Sequence, residues 1–181
     1  MHGIEAPSAW IQQWAHLIPN GSRVLDLACG AGRHMRCLSA LGHPMLGVDR
    51  SEEALAAAQP WGETLLADIE NGPWPLDGQA FGGVVVTHYL WRPLWPRITA
   101  SVQTGGVLLY ETFAQGHETV GRPSRPDFLL APGELLQVAS QAGLRVIAYE
   151  DGFLPEPERF VQRMAAVREA TTTQPARWAL R

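Results

Sequence analysis

The run Val24-Leu25-Asp26-Leu27-Ala28-Cys29-Gly30-Ala31-Gly32-Arg33 constrains this chain more than any other stretch. Apolar strand residues pass into a turn of small residues and then into a helix. A carboxylate, Asp26, stands near the strand end, and glycines follow at 30 and 32. Glycine has no side chain and tolerates positive φ, so a ligand can approach the backbone closely there. The helix N-terminus behind the turn adds free N–H groups and a partial positive charge. A turn of this kind suits a nucleotide-like ligand; an ordinary tight strand–helix turn is the alternative.

Further along, apolar runs alternate with helical patterns. Strands are expected at about 23–28, 44–49, 64–68, 83–87 and 107–111, and helices at 7–18, about 31–41, from Ser51, and 132–142. Ser51 is a plausible N-cap, with acids in the first turn behind it. Gly83-Val84-Val85-Val86-Thr87 is nearly all apolar and β-branched, as a central parallel strand buried on both faces should be. Segments 144–149 and 160–168 are expected to close the chain as an antiparallel hairpin. This order implies right-handed crossovers and an α/β, doubly wound, mostly parallel sheet with helices on both faces. Residues 1–169 read as one domain. Segment 1–20 carries a Trp10, Ile11, Trp14, Leu17, Ile18 stripe suited to core packing or to closing over a ligand, and 170–181 is expected to be a loose tail.

In an open parallel sheet the ligand binds beyond the carboxyl ends of the strands. Polar residues stand at those ends here: Asp26, Asp49, Asp68, then Thr87-His88-Tyr89, then Glu111-Thr112. A dinucleotide fingerprint wants a third small residue three positions after its second glycine. That position is Met35, which would crowd a pyrophosphate-binding helix.

The pattern Asp26-x-x-x-Gly30-x-Gly32 instead resembles the first motif of the class I S-adenosylmethionine-dependent methyltransferases, and the likeness extends over roughly residues 22–112. The resemblance implies a Rossmann-like, seven-stranded sheet whose last strand is antiparallel. It implies S-adenosyl-L-methionine as cofactor, with Asp26 at its amino-acid end, Asp49 on the ribose hydroxyls, and Asp68 and Ile69 at the adenine. Ala28, Gly30, Gly32, Arg50 and Thr87 complete the expected cofactor set. His88 would lie beside the sulfonium and is the first choice for a base, with Tyr89 and Glu111 as alternatives. Val120-Gly121-Arg122-Pro123, Phe128-Leu129-Leu130 and Gly133-Glu134-Leu135 loosely resemble the small bacterial tellurite-resistance-type methyltransferases.

The long loop from Phe113 to Ala131 is expected to fix the acceptor. Its His117, Arg122 and Arg125, together with Arg92, point to a small anionic molecule, because arginines hold oxyanions by paired hydrogen bonds. Solvated surface arginine is the other reading. A net charge of −4 argues against bulk electrostatic binding of nucleic acid. No apolar run approaches the roughly 20 residues needed to span a bilayer, and the N-terminus lacks a basic start followed by an apolar stretch. No membrane association is expected, and a cytoplasmic location is. Two cysteines, Cys29 and Cys37, make no disulfide framework, and none of the six histidines shows metal-ligand spacing. A non-catalytic cofactor-binding subunit and a nicotinamide-dependent oxidoreductase are the rival functions.

Overall fold

The computed structural model describes residues 5–172 and 174–180. Seven strands form one sheet in the order β3-β2-β1-β4-β5-β7-β6. These are β1 (Val24–Leu27), β2 (Met45–Asp49), β3 (Glu63–Leu66), β4 (Phe81–Thr87), β5 (Val102–Phe113), β6 (Arg145–Pro155) and β7 (Glu158–Val167). The pairs among β1 to β5 are parallel, whereas β7 runs antiparallel to both β5 and β6. Helices α1 (Ala9–Trp14), α2 (Arg33–Ala40), α3 (Glu52–Ala58), α4 (Trp95–Ala100) and α5 (Glu134–Gln141) cover the two faces.

Side-chain alternation along the buried strands builds two cores. Val84 and Val86 of β4 join Leu25, Leu27, Leu108 and Tyr110 on the face covered by α4 and α5. Val85 points the other way, with Val24, Val107 and Leu109, onto α1, α2 and α3. The stripe of α1 is wholly core: Trp10, Ile11 and Trp14 are buried against that second face. Opening helix α1 would return three large apolar side chains to water. Met35 fills the space over Gly47, where an added Cβ would meet its Sδ at 2.4 Å.

Several elements differ in extent from the expectation. Helix α2 begins at Arg33 rather than near 31, because Gly32 at φ 78° is its left-handed N-cap. Strand β3 ends at Leu66, leaving Asp68 in the following turn. Strand β5 starts at Val102 and bends through Gly105. The terminal hairpin is much longer than expected, its register reaching Pro155 opposite Glu158. The stretch 150–157 is rich in acids, glycine and proline and reads as loop. Cross-strand partners hold it as a ribbon: Arg163 pairs with Glu150, and the rings of Phe153 and Phe160 lie 5.0 Å apart. The tail is also less loose than expected. It has no helix or strand among the described residues, but Trp178 packs on the second core and donates to Glu169 at 3.0 Å.

Candidate active site

The glycine turn after β1 faces the carboxyl edge of the sheet, and two cavities open along that edge. The first, about 200 Å³, lies over β1, β2 and the turn after β3. Ala28, Val48, Ala67 and Ile69 make an apolar floor, and Asp49, Arg50, Asp68 and Glu70 stand around it. The second, about 390 Å³, lies beyond β4 and β5, between the 113–131 loop and the tip of the β6–β7 hairpin. His88 lines the second cavity and its neighbour Tyr89 the first. Ala28 and His88, at the ends of adjacent strands, both hold left-handed backbone at φ 54° and 52°. Strain at non-glycine residues concentrates at functional sites.

Asp26 is wholly buried, and neither carboxylate oxygen has a hydrogen-bond partner. Burial pushes its pKa up to about 7; the Arg33 charge and, short of a full hydrogen bond, the Met35 amide offset this only in part. An orphaned carboxylate at the root of a glycine turn lacks a cationic donor. Asp49 is engaged on both oxygens, Oδ2 accepting from the Gly30 amide at 2.8 Å and Oδ1 from the Ser51 amide at 2.9 Å. A carboxylate has about four lone-pair sites, so one on each oxygen remains for a pair of vicinal hydroxyls. Asp49 thus ties the β1 turn to the β2 end and still offers a bidentate acceptor. Asp68 caps its own turn through the Glu70 and Asn71 amides, which with the Asn71 side chain hold its pKa below the usual range.

The two glycines differ in purpose. A Cβ on Gly30 would meet nothing within 4 Å, whereas one on Gly32 would strike Ala58 Cβ at 2.8 Å. Gly30 keeps open space in front of the turn; Gly32 lets α2 pack on α3. Cys29 is buried and its ionisation is pushed upward by burial, so it is a space-filling thiol.

The residues expected to do catalysis do not converge as the sequence suggested. Glu111 is buried, with Oε1 accepting from Ser8 Oγ at 3.0 Å and Oε2 3.5 Å from Arg163. It anchors the N-cap of α1 instead of facing an acceptor. Tyr89 presents its ring to the first cavity, and its hydroxyl is buried without a partner. Burial pushes its ionisation upward, out of the range of a base. His88 stays at the second cavity, stacked on Phe113 at 4.8 Å, and its Nδ1 accepts from Arg33 at 3.3 Å. In a neutral imidazole that leaves Nε2–H as a donor, so His88 offers a hydrogen bond rather than a free basic nitrogen. Burial and the Arg33 charge both depress its pKa and favour this neutral form.

The acceptor set also divides. Arg122 and His117 line the second cavity; Arg92 and Arg125 do not. Arg92 is consumed by its own fold, in a paired contact with Glu134 at 2.6 and 2.9 Å and in bonds to the Asp127 and Leu129 carbonyls. Arg125 is an exposed arginine paired with Asp127. His117 stacks under Phe113 at 4.3 Å and donates from Nε2 to the Arg122 carbonyl at 3.1 Å, ordering the loop that carries Arg122.

Several site residues escaped the sequence reading. Arg33, directly after the glycine turn, bridges Glu5 at 2.8 Å and His88. His34 is buried, accepts the Ser8 amide at Nε2, and faces Thr87 Oγ1 at 3.4 Å; burial lowers its pKa to about 3. Arg159 reaches the second cavity from the hairpin tip. Arg33 could have been found from its place in the motif. Ser8, His34 and Arg159 carry no local signal.

The strand order, the Asp26–Gly30–Gly32 turn and Asp49 at the next strand end define a class I, Rossmann-like methyltransferase fold. Residues 24–105 match the family described as "Methyltransferase domain". One curated relative, the ubiquinone biosynthesis O-methyltransferase of Paraburkholderia phymatum, is 45% identical over 63 residues, 35% of this chain and 24% of that protein. The chain thus spans about a quarter of the length of that relative. Among solved structures, TehB from Haemophilus influenzae superimposes with a TM-score of 0.74 at 22% identity, over 93% of this chain and 64% of that one. The magnesium protoporphyrin IX methyltransferase of Synechocystis with bound SAH gives 0.65 at 16% identity, over 89% and 80%. At those identities the two structures share the fold. Among the described residues, no helix is long and apolar enough to cross a membrane, and no cluster of His, Cys, Asp or Glu could hold a metal ion.

Proposed function

We propose that this chain is an S-adenosylmethionine-dependent methyltransferase acting on a small molecule bound in the second cavity. The carrying observation is the buried, unpartnered carboxylate of Asp26 beside the open space in front of Gly30. That pairing suits the amino-acid end of the cofactor, with Asp26 toward the ammonium and the turn amides toward the carboxylate. Asp49 has two lone pairs for the ribose hydroxyls. Asp68 and Ile69, with Ala28 and Arg50 around them, would receive the adenine side, whereas Thr87 is buried against His34 and lies outside that cavity.

When bound, the cofactor supplies an electrophilic methyl group on a sulfonium. The chain's own residues position and dehydrate rather than carry out covalent chemistry. His88 and Arg33 both line the second cavity, and the His88 Nε2–H can orient an acceptor oxygen there. With Glu111, Tyr89 and the His88 Nδ1 each occupied or unsuited, none of the three expected bases is free to take a proton. The acceptor should therefore attack as a group that is already anionic or uncharged and nucleophilic. Titration calorimetry with S-adenosylhomocysteine is the direct test. Tight NAD binding with no response to S-adenosylhomocysteine would overturn the reading in favour of an oxidoreductase.

A further inference from the structure

The second cavity holds an unusual charge arrangement for so small a space. Three guanidinium groups, from Arg33, Arg122 and Arg159, come to it from three separate parts of the chain. Arg33 is committed to Glu5 and His88. Arg122 and Arg159 enter no ion pair or side-chain hydrogen bond among the described residues, and the Nε of Arg159 is buried with no acceptor at all. A buried guanidinium donor left unmade carries a desolvation penalty that only a ligand or an added acceptor can relieve. The other carboxylate at the cavity, Glu158, is exposed on the hairpin.

The second feature is aromatic. His88, Phe113 and His117 form a continuous stack, with centroid spacings of 4.8 and 4.3 Å. Its outer ring, His88, belongs to a solvent-exposed residue, so the stack ends at the cavity. A flat ring can extend such a stack, and offset stacking is favourable beyond simple area burial. Guanidinium forks, for their part, match the planar geometry of a carboxylate.

We propose that the second cavity is a site for a small aromatic carboxylate, its carboxylate taken by Arg159 and Arg122 and its ring laid on the His88 end of the stack. This rests on the reading of that cavity as the acceptor site, and it makes Arg159, at the hairpin tip, the residue that selects the acceptor. The hairpin extension then has a task, since Pro157, Glu158 and Arg159 wall the cavity only because the two strands run so far past the sheet.

Binding of benzoate, phenylacetate, acetate and the uncharged benzamide would be measured by ligand-observed NMR on the protein loaded with S-adenosylhomocysteine. The aromatic carboxylates are expected to bind, with acetate and benzamide at least tenfold weaker. Arg159→Ala should weaken benzoate tenfold or more, the loss expected of a charge-assisted hydrogen bond, and Arg159→Lys should fall between, keeping the charge without the fork. Arg125→Ala, outside the cavity, should change nothing. S-adenosylhomocysteine affinity and melting temperature of the Arg159 variants report separately on the cofactor site and on folding, and both should match wild type. Equal binding of benzoate and benzamide, or unchanged benzoate binding in folded Arg159→Ala, would overturn the proposal while leaving the methyl-donor reading intact. Loss of S-adenosylhomocysteine binding by the wild-type protein would instead overturn the donor reading.

Discussion

Replacing Asp26 with asparagine should stabilise the ligand-free protein at pH 8 and destroy its hold on the methyl donor. Asp26 is buried without a hydrogen-bond partner, and its pKa is raised from 3.8 to about 7. At roughly 1.4 kcal/mol per pH unit, that displacement corresponds to ~4 kcal/mol. The fold favours the protonated form, so the contribution to stability is full below pH 3.8 and is lost as pH rises through about 7. At pH 8 the wild type bears the whole penalty of a buried charge. Asparagine keeps the shape and removes the charge, but its buried amide without partners costs ~1–3 kcal/mol. A net gain of ~1–3 kcal/mol remains, roughly 3–9 °C in melting temperature for a domain of this size. At pH 5 the wild-type carboxyl is already neutral, and the same substitution should then be neutral or destabilising. His34 works in the opposite sense: with its pKa lowered to about 3, its contribution is present above its ordinary 6.5 and lost as pH falls toward 3. Both proteins carry it, so it cancels in the comparison. Urea and thermal unfolding of both proteins at the two pH values, with and without S-adenosylhomocysteine, is the assay. A loss of stability of the same size at both pH values would refute the reasoning. So would a variant that still gains stability from S-adenosylhomocysteine as wild type does.

Three further outcomes follow from the same geometry. Asp49→Ala should cut S-adenosylhomocysteine affinity by tenfold or more in calorimetry, and lose ~1–3 kcal/mol of stability because the Gly30 and Ser51 amides give up their acceptor. Gly32→Val should destabilise by ~2 kcal/mol or more in urea unfolding, since its Cβ would meet Ala58 at 2.8 Å at a backbone φ of 78°; Gly30→Ala, with open space around it, should cost less stability while lowering affinity. Arg92→Ala should expose the 126–134 segment to proteolysis without altering S-adenosylhomocysteine affinity, because its partners are Glu134 and the carbonyls of Asp127 and Leu129.

The carboxyl edge of this protein was legible to the extent that its parts are local. Asp26, the glycine turn and Asp49 sit at strand ends that apolar runs announce, and a parallel sheet carries such ends to one edge. Period-two alternation in 84–86 likewise foretells two cores on opposite faces. Met35 argued against a dinucleotide site from sequence, and the structure packs its side chain over Gly47. The acceptor side was different. Three arginines looked equivalent along the chain, but an arginine's role depends on which carboxylates the fold brings to it. Glu134 claims Arg92 and Asp127 claims Arg125, leaving Arg122 for the cavity. Glu111 looked like a base at a strand end until Ser8, from far along the chain, met it on α1.

Sequence alone therefore determined the sheet and the polar residues its carboxyl edge presents, because both depend on hydrophobic periodicity and on residues within one turn of a strand end. Tertiary structure decided which side chains line the second cavity. Arg159 reaches the cavity because the expected terminal hairpin extends through residues that read as loop, and His88 lost its free nitrogen to Arg33. Pairings between distant segments set burial, hydrogen-bond partners and charge neighbours, and those quantities separate an available side chain from one the fold has already used.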